Sequence, residues 1–169
     1  MAVLVAVASV VFIIEAQVPL PVPVPGAKLG LANAVTLFAL FYGADKERGE
    51  GVLSAVDVFL VLVCRIVLGA VFSGRFTAFV YSVCGGFLAF AAQVIIKKVV
   101  SVKQIWACGA IGATFHNVGQ IGAAVVVIRS WAVVAYLPVL IIVGIVSGVV
   151  TGLVAQFSLS RIGKVWLSK

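Results

Sequence analysis

Apolar residues run along this chain in stretches of helix length, broken by short polar segments rather than by a regular polar stripe. A helix half exposed to water would show polar residues on one face at every turn, so unbroken apolar stretches point to helices in apolar surroundings. Taking the polar breaks as boundaries predicts six helices, at about residues 2–17, 29–43, 51–72, 76–96, 104–128 and 133–159. The second, of about 15 residues, would reach roughly 22 Å, short of a hydrocarbon core of roughly 30 Å. It must be shielded by its neighbours or continue into the segment before it.

That segment, "PLPVPVPG", sets Pro19, Pro21, Pro23 and Pro25 at alternate positions. Proline fixes φ and removes a donor, and it pushes the residue before it into extended geometry, so this stretch cannot be helical. A stiff extended strap is expected, with Gly26 permitting a turn before Lys28. Two readings stand for it: the rim of a binding site, or a rigid interhelical loop.

Composition agrees with the pattern. Hydrophobic residues make up 64% of the chain and charged residues 10%, against roughly 25% charged in soluble proteins. The mean hydropathy is +1.31. An all-α integral membrane protein of six transmembrane helices follows, a single polytopic domain over residues 1–169. The N-terminus shows neither a basic lead-in nor a small-residue cleavage site, so its apolar stretch reads as a short first helix rather than a removable signal peptide.

The net charge of +7 does not mark a nucleic-acid partner, because the cations are scattered between spans. With the N-terminus inside, eight fall on the cytoplasmic side (Lys46, Arg48, Lys97, Lys98, Lys103, Arg161, Lys164, Lys169) and three outside (Lys28, Arg75, Arg129). This satisfies the positive-inside rule and predicts an N-in, C-in topology. The proline segment then lies outside. Cys64, Cys84 and Cys108 have neither disulfide nor zinc spacing and read as small buried thiols.

Polar residues inside apolar helices are costly and usually face the protein interior or a water-filled cavity. Here Glu15 closes the first helix, Asn33 lies about one turn into the second, and Arg65 lies in the outer half of the third. The fifth carries "GATFHNVGQIG", where His116 and Gln120 share a face and Asn117 stands one step around. With Lys28, these residues from four elements lie between the midplane and the outer surface. As a set, Glu15, Lys28, Asn33, Arg65, His116, Asn117 and Gln120 read as a substrate-binding site for an anionic or strongly polar ligand. Taken singly, each can equally be a helix-to-helix tie, with Arg65 paired to Glu15 or Asp57. In the sixth helix Gly144, Gly148 and Gly152 form a strip for close packing, and Ala2 and Ala6 share a face of the first.

The sequence has no Walker A, GxSxG, HExxH or CxxC motif, and its only aspartates, Asp45 and Asp57, stand far apart. No metal, cofactor or catalytic residue is therefore expected, and no enzymatic activity.

The segments "EAQVPLPVPVPGAKLGLANAVTLFAL", "RIVLGAVFSGRFTAFVYSVCGG", "GAIGATFHNVGQI" and "YLPVLIIVGIVSGVVTGL" resemble the small bacterial membrane family of Gx transporters, also called heptaprenyl diphosphate synthase component I. The resemblance covers nearly the whole chain. That family looks similar to the substrate-binding S components of energy-coupling factor (ECF) transporters. The resemblance thus implies an S-component-like bundle in the bacterial cytoplasmic membrane, with a ligand site near the outer face. It implies that Ala2 and Ala6 meet a transmembrane coupling subunit, and that separate ATPase subunits supply the energy. The expected function is capture of a small anionic or amphiphilic nutrient, such as a vitamin, a flavin or a quinone or isoprenoid precursor. The alternative is a noncatalytic membrane component of heptaprenyl diphosphate or quinone biosynthesis.

Overall fold

The computed structural model describes residues 2–17, 32–42, 53–74 and 76–167. They form six α-helices: α1 (Ala2–Gln17), α2 (Ala32–Phe41), α3 (Ala55–Ser73), α4 (Phe76–Lys97), α5 (Ile105–Ile128) and α6 (Leu137–Leu167). Four segments, Ala55–Phe72, Phe76–Lys97, Val102–Ile128 and Trp131–Arg161, are long and apolar enough to cross a membrane. The protein is an all-helical, multi-pass membrane protein. The proline strap and Lys28 lie outside the described residues.

Local chemistry sets the helix ends. α3 begins later than the hydrophobic pattern suggests because Ser54 and Asp57 form a capping box. The Ser54 hydroxyl accepts from the Asp57 N–H at 3.1 Å, and the Asp57 carboxylate accepts from the Ser54 N–H at 3.0 Å. Asp57 is thus engaged by the cap. At the other end Gly74 takes φ +60°, a left-handed conformation that only glycine adopts without strain, and the chain turns into α4. α6 starts four residues after the expected position, because a 3₁₀ turn over Trp131–Tyr136 precedes it. Pro138 then sits in the first turn of α6, where a missing N–H costs nothing.

The architecture is organised around the shortest helix. At about 1.5 Å per residue, the ten residues of α2 reach only ~15 Å. α2 packs against α1, α3, α5 and α6, and Leu37, Ala39, Leu40 and Phe41 are all buried. The expected shielding is therefore supplied on every side by longer helices. The lower half of α2 forms an apolar cluster with Val58 of α3, Ile105 and Cys108 of α5 and Ala155 of α6. This cluster lies toward the end where α3 begins and α4 stops, the end that carries Lys97, Lys98 and Lys103. The Lys97 ammonium lies 5.9 Å from the centre of the Phe41 ring.

Two further contacts hold the bundle. Phe59 of α3 meets Phe87 and Phe90 of α4, with centroids 5.3 and 5.6 Å apart. α5 and α6 meet along the glycine strip: a methyl group at Gly148 would stand 2.5 Å from the Gly109 carbonyl oxygen, and one at Gly152 would stand 2.5 Å from the Trp106 Cα. Backbones approach this closely only where side chains are absent. Outward faces remain apolar, with Val71, Phe76, Ile142 and Val146 exposed, as expected of surfaces solvated by lipid. Cys64 and Cys84 lie on such faces. The expectation of three buried thiols therefore holds for Cys108 alone, because the apolar runs carrying the other two turn those positions outward.

The glycine strip yields a direct test. Gly148→Ala is expected to cost about 1–3 kcal/mol through overpacking, read as a lowered melting temperature in detergent. Gly122→Ala, where an added methyl meets nothing within 4 Å, is expected to leave it unchanged.

Candidate functional site

A band of polar side chains lies above the apolar cluster. Asn33 and Thr36 of α2, Arg65 of α3, His116, Asn117 and Gln120 of α5, and Ser147 and Thr151 of α6 are all buried. Helix counting places most of them at one height. Arg65 is seven residues beyond Val58, Asn33 seven before Leu40, and His116 eight beyond Cys108. At about 1.5 Å per residue, each stands ~10–12 Å above the cluster. Three helices measured separately thus converge on one level.

Within the band one contact is direct. Arg65 Nη2 donates to Asn33 Oδ1 at 3.3 Å, buried between α3 and α2. A guanidinium carries only donors, so it fixes the amide with oxygen toward Arg65 and nitrogen away. Asn33 Nδ2 and Thr36 Oγ1 are buried and have no hydrogen-bond partner among the described residues.

His116 and Gln120 share the face of α5 that meets α4. A methyl group at Gly85 would stand 2.8 Å from the His116 carbonyl oxygen, 3.0 Å from its Cε1 and 3.0 Å from Gln120 Cγ. The next residue, Gly86, faces Leu62 and Ile66 of α3 instead. α4 is therefore reduced to bare backbone where it passes between the helix of Arg65 and that of His116. The Gly85–Gly86 pair thus gives α4 contact with both partners at once.

Asn117 serves a different purpose. Its Nδ2 donates to the Leu140 carbonyl at 2.6 Å and lies against Gly144. That bond ties α5 to α6, which is the tie considered for each polar residue singly. The structure thus unites Asn33 with Arg65, places His116 and Gln120 together on the α4 side, and turns Asn117 to α6. Glu15 lies in α1, whose backbone alone is described at that position, and Lys28 lies outside the described residues. Ala2 and Ala6 are exposed on α1.

Four buried polar residues escaped the sequence reading. Ser147 and Thr151 return their hydroxyls to the Gly144 and Gly148 carbonyls of their own helix, each at 3.1 Å. Gln93 of α4 lies nearer the basic end, where its carbonyl accepts from Cys108 Sγ at 3.7 Å and its amide lies against Gly112. The signal for Gln93 was available: it is the sole glutamine of α4, in an otherwise apolar stretch. Thr36 carried no such signal, since threonine is common in apolar helices. Among the described residues no group of three or more His, Cys, Asp or Glu is placed to hold a metal ion.

Asn117→Ala is expected to lower stability by about 1–3 kcal/mol, because the Leu140 carbonyl loses a buried donor and a void opens beside Gly144. Val118→Ala, on the exposed side of the same helix, is expected to change stability by no more than about 0.5 kcal/mol. Thermal unfolding of both variants in one detergent checks the difference.

Compared with known proteins, residues 4–158 match a family model described as heptaprenyl diphosphate synthase component I. No curated protein and no solved structure matches the chain.

Proposed function

The chain belongs to the heptaprenyl diphosphate synthase component I family, and on that premise we propose that it is a substrate-binding membrane subunit. It captures a small anionic or amphiphilic solute from the outer side, and a separate ATPase module powers release inside. The observation that carries this reading is the buried Arg65–Asn33 pair, held at the level of His116 and Gln120 directly above a closed apolar cluster. Polar groups of this cost deep in a membrane bundle are most readily accounted for by a ligand that uses them. Among the described residues the layer below offers two neutral amides, Gln93 and Gln156, rather than a continuous polar stripe toward the basic end, which favours a binding pocket over a channel.

The lysines and arginines support the orientation. Four of the five cations whose side chains are described outside the bundle's interior, Lys97, Lys98, Lys103 and Arg161, lie at one end, with Arg129 at the other. By the positive-inside rule that end faces the cytoplasm of a bacterial inner membrane. α1 supports the coupling role: Ala2, Val3, Ala6, Val7, Val10 and Ile14 are exposed, while Ala8 and Phe12 face the bundle. In this reading an ECF-type coupling subunit covers the small-residue face at Ala2 and Ala6.

The family's description favours a second reading, a noncatalytic membrane component of heptaprenyl diphosphate synthesis whose polar residues tie helices together. Mass spectrometry of small molecules released from gently purified protein separates the two. A stoichiometric compound present in wild type and absent from Arg65→Ala is expected. If neither protein releases a compound, and Arg65→Ala loses only stability, the second reading holds. Ala6→Leu is expected to abolish recovery of the ATPase partners in a pulldown while the purified variant still carries the solute. Undiminished recovery would remove the coupling assignment.

A further inference from the structure

We infer that the groove between the outer halves of α4 and α5 is a binding site for one tail of an anionic phospholipid of the outer leaflet, whose head group meets Arg129. The groove, of about 590 Å³, is lined from Val80 to Ala91 on α4 and from Gly119 to Val127 on α5. Its volume falls within the range of ligand sites, roughly 300–1,000 Å³. Apart from the Cys84 thiol its lining is hydrocarbon, and Phe87, Leu88, Val126 and Val127 within it are exposed, so it opens toward lipid. The residues of the polar band take no part in it, and the site is therefore separate from solute capture.

Gly122 gives the first sign that the groove is built to receive something. A glycine inside a helix destabilises it relative to alanine, and close approach of a neighbour is the usual return. From Gly69 to Gly152, each other helical glycine has such a neighbour: an added methyl would come within 3.0 Å of an atom of another helix. At Gly122 it would meet nothing within 4 Å. The bare backbone there faces the groove, so the group that approaches it lies outside the chain.

Length selects a lipid tail over a helix. At about 1.5 Å per residue the α5 wall runs ~12 Å and the α4 wall ~16 Å, against roughly 15 Å for half of a hydrocarbon core. The groove begins near the outer ends of both helices and stops at Ala91 and Gly119, leaving the lower half of α5 without it. A second transmembrane helix would meet it over only part of its own length. A single tail of one leaflet matches it from end to end.

A tail gains nothing from burial where the surrounding bilayer is equally apolar, so selection must come from packing and from the head group. Here Arg129 supplies the charge. It ends α5 at φ +56°, the one non-glycine residue with positive φ among those described. α3 ends in the same conformation with Gly74, the usual residue for that geometry. Arg129 thus holds a cation at the mouth of the groove at a backbone cost, on the side where the positive-inside rule disfavours one. It is exposed, as is Trp131 beside it, an aromatic suited to the level of the head groups.

The test places the full chain in phosphatidylcholine vesicles holding a trace of phosphatidylglycerol with a photoactivatable diazirine in its acyl tail. Adducts, mapped by mass spectrometry, are expected on residues 80–91 and 119–127. Unlabelled phosphatidylglycerol should displace them, and phosphatidylcholine with the same tails should not. Gly122→Leu, which fills the groove, is expected to lower them at least about tenfold. Arg129→Gln is expected to lower them about fivefold, the factor that one cation near a membrane surface contributes. Adducts spread evenly over other exposed residues such as Ile142 and Val146 overturn the site, as does labelling that Gly122→Leu leaves untouched. Equal displacement by phosphatidylcholine, or full labelling of Arg129→Gln, overturns the anionic head group. If the groove stays unlabelled and the protein is a dimer that Gly122→Leu makes monomeric, a second copy occupies it and the lipid site fails. Should Gly122→Leu not fold, Ala91→Phe on the opposite wall must give the same loss.

Discussion

The ten described residues of α2 are too few to cross a bilayer by themselves, so neighbouring helices must shield them. That constraint governs this bundle. α2 exists as a stable element because α1, α3, α5 and α6 surround it, and they bury the turn that carries Asn33 inside the protein. The neighbouring helices bring the Asn33 amide of α2 and the Arg65 guanidinium to one place, at the height of His116 and Gln120.

Surrounding a central helix closely requires its neighbours to be slender at chosen points. α4 becomes backbone at Gly85 and Gly86 so that α5 and α3 can both approach it, and α6 does so at Gly148 and Gly152 against α5. The apolar cluster at the lower end is built from Leu37, Leu40, Val58, Ile105 and Ala155, with Cys108 as a further small residue. Polar residues on these same helices fall into two kinds. Asn117, Ser147 and Thr151 have found partners within the protein, while Asn33 and Thr36 hold atoms that have not. Equal burial therefore does not imply equal purpose.

Much of this was legible in the chain. The six helices follow from apolar run length, since in a membrane the run itself is the signal. The shielding of the second helix follows from its shortfall against the bilayer. The glycine strip of α6 was readable from its four-residue spacing. Depth counting grouped Asn33, Arg65, His116 and Gln120, and the structure sets them at neighbouring heights. What counting along one helix lacks is rotation relative to the others. It could not tell that Asn117 turns to Leu140 while His116, one residue before it, meets Gly85. Nor could it anticipate the Ser54–Asp57 cap, which engages the carboxylate considered as a partner for Arg65. Thr36 was invisible for a related reason: whether a hydroxyl is spent on its own helix depends on a side-chain rotamer, which sequence does not reveal.

The apolar cluster beneath the polar band also acts as electrical insulation. An ion passing from the level of Arg65 to the Lys97 end would cross ~10 Å lined largely by hydrocarbon side chains drawn from four helices, where the neutral amides of Gln93 and Gln156 supply no counter-charge. Moving a bare charge through such a layer costs far more than a membrane potential returns, at roughly 2.3 kcal/mol per elementary charge per 100 mV. Charge held in the band is therefore cut off from the opposite side. A chain built in this way can remain in an energised membrane for long periods without draining the gradient on which the cell depends.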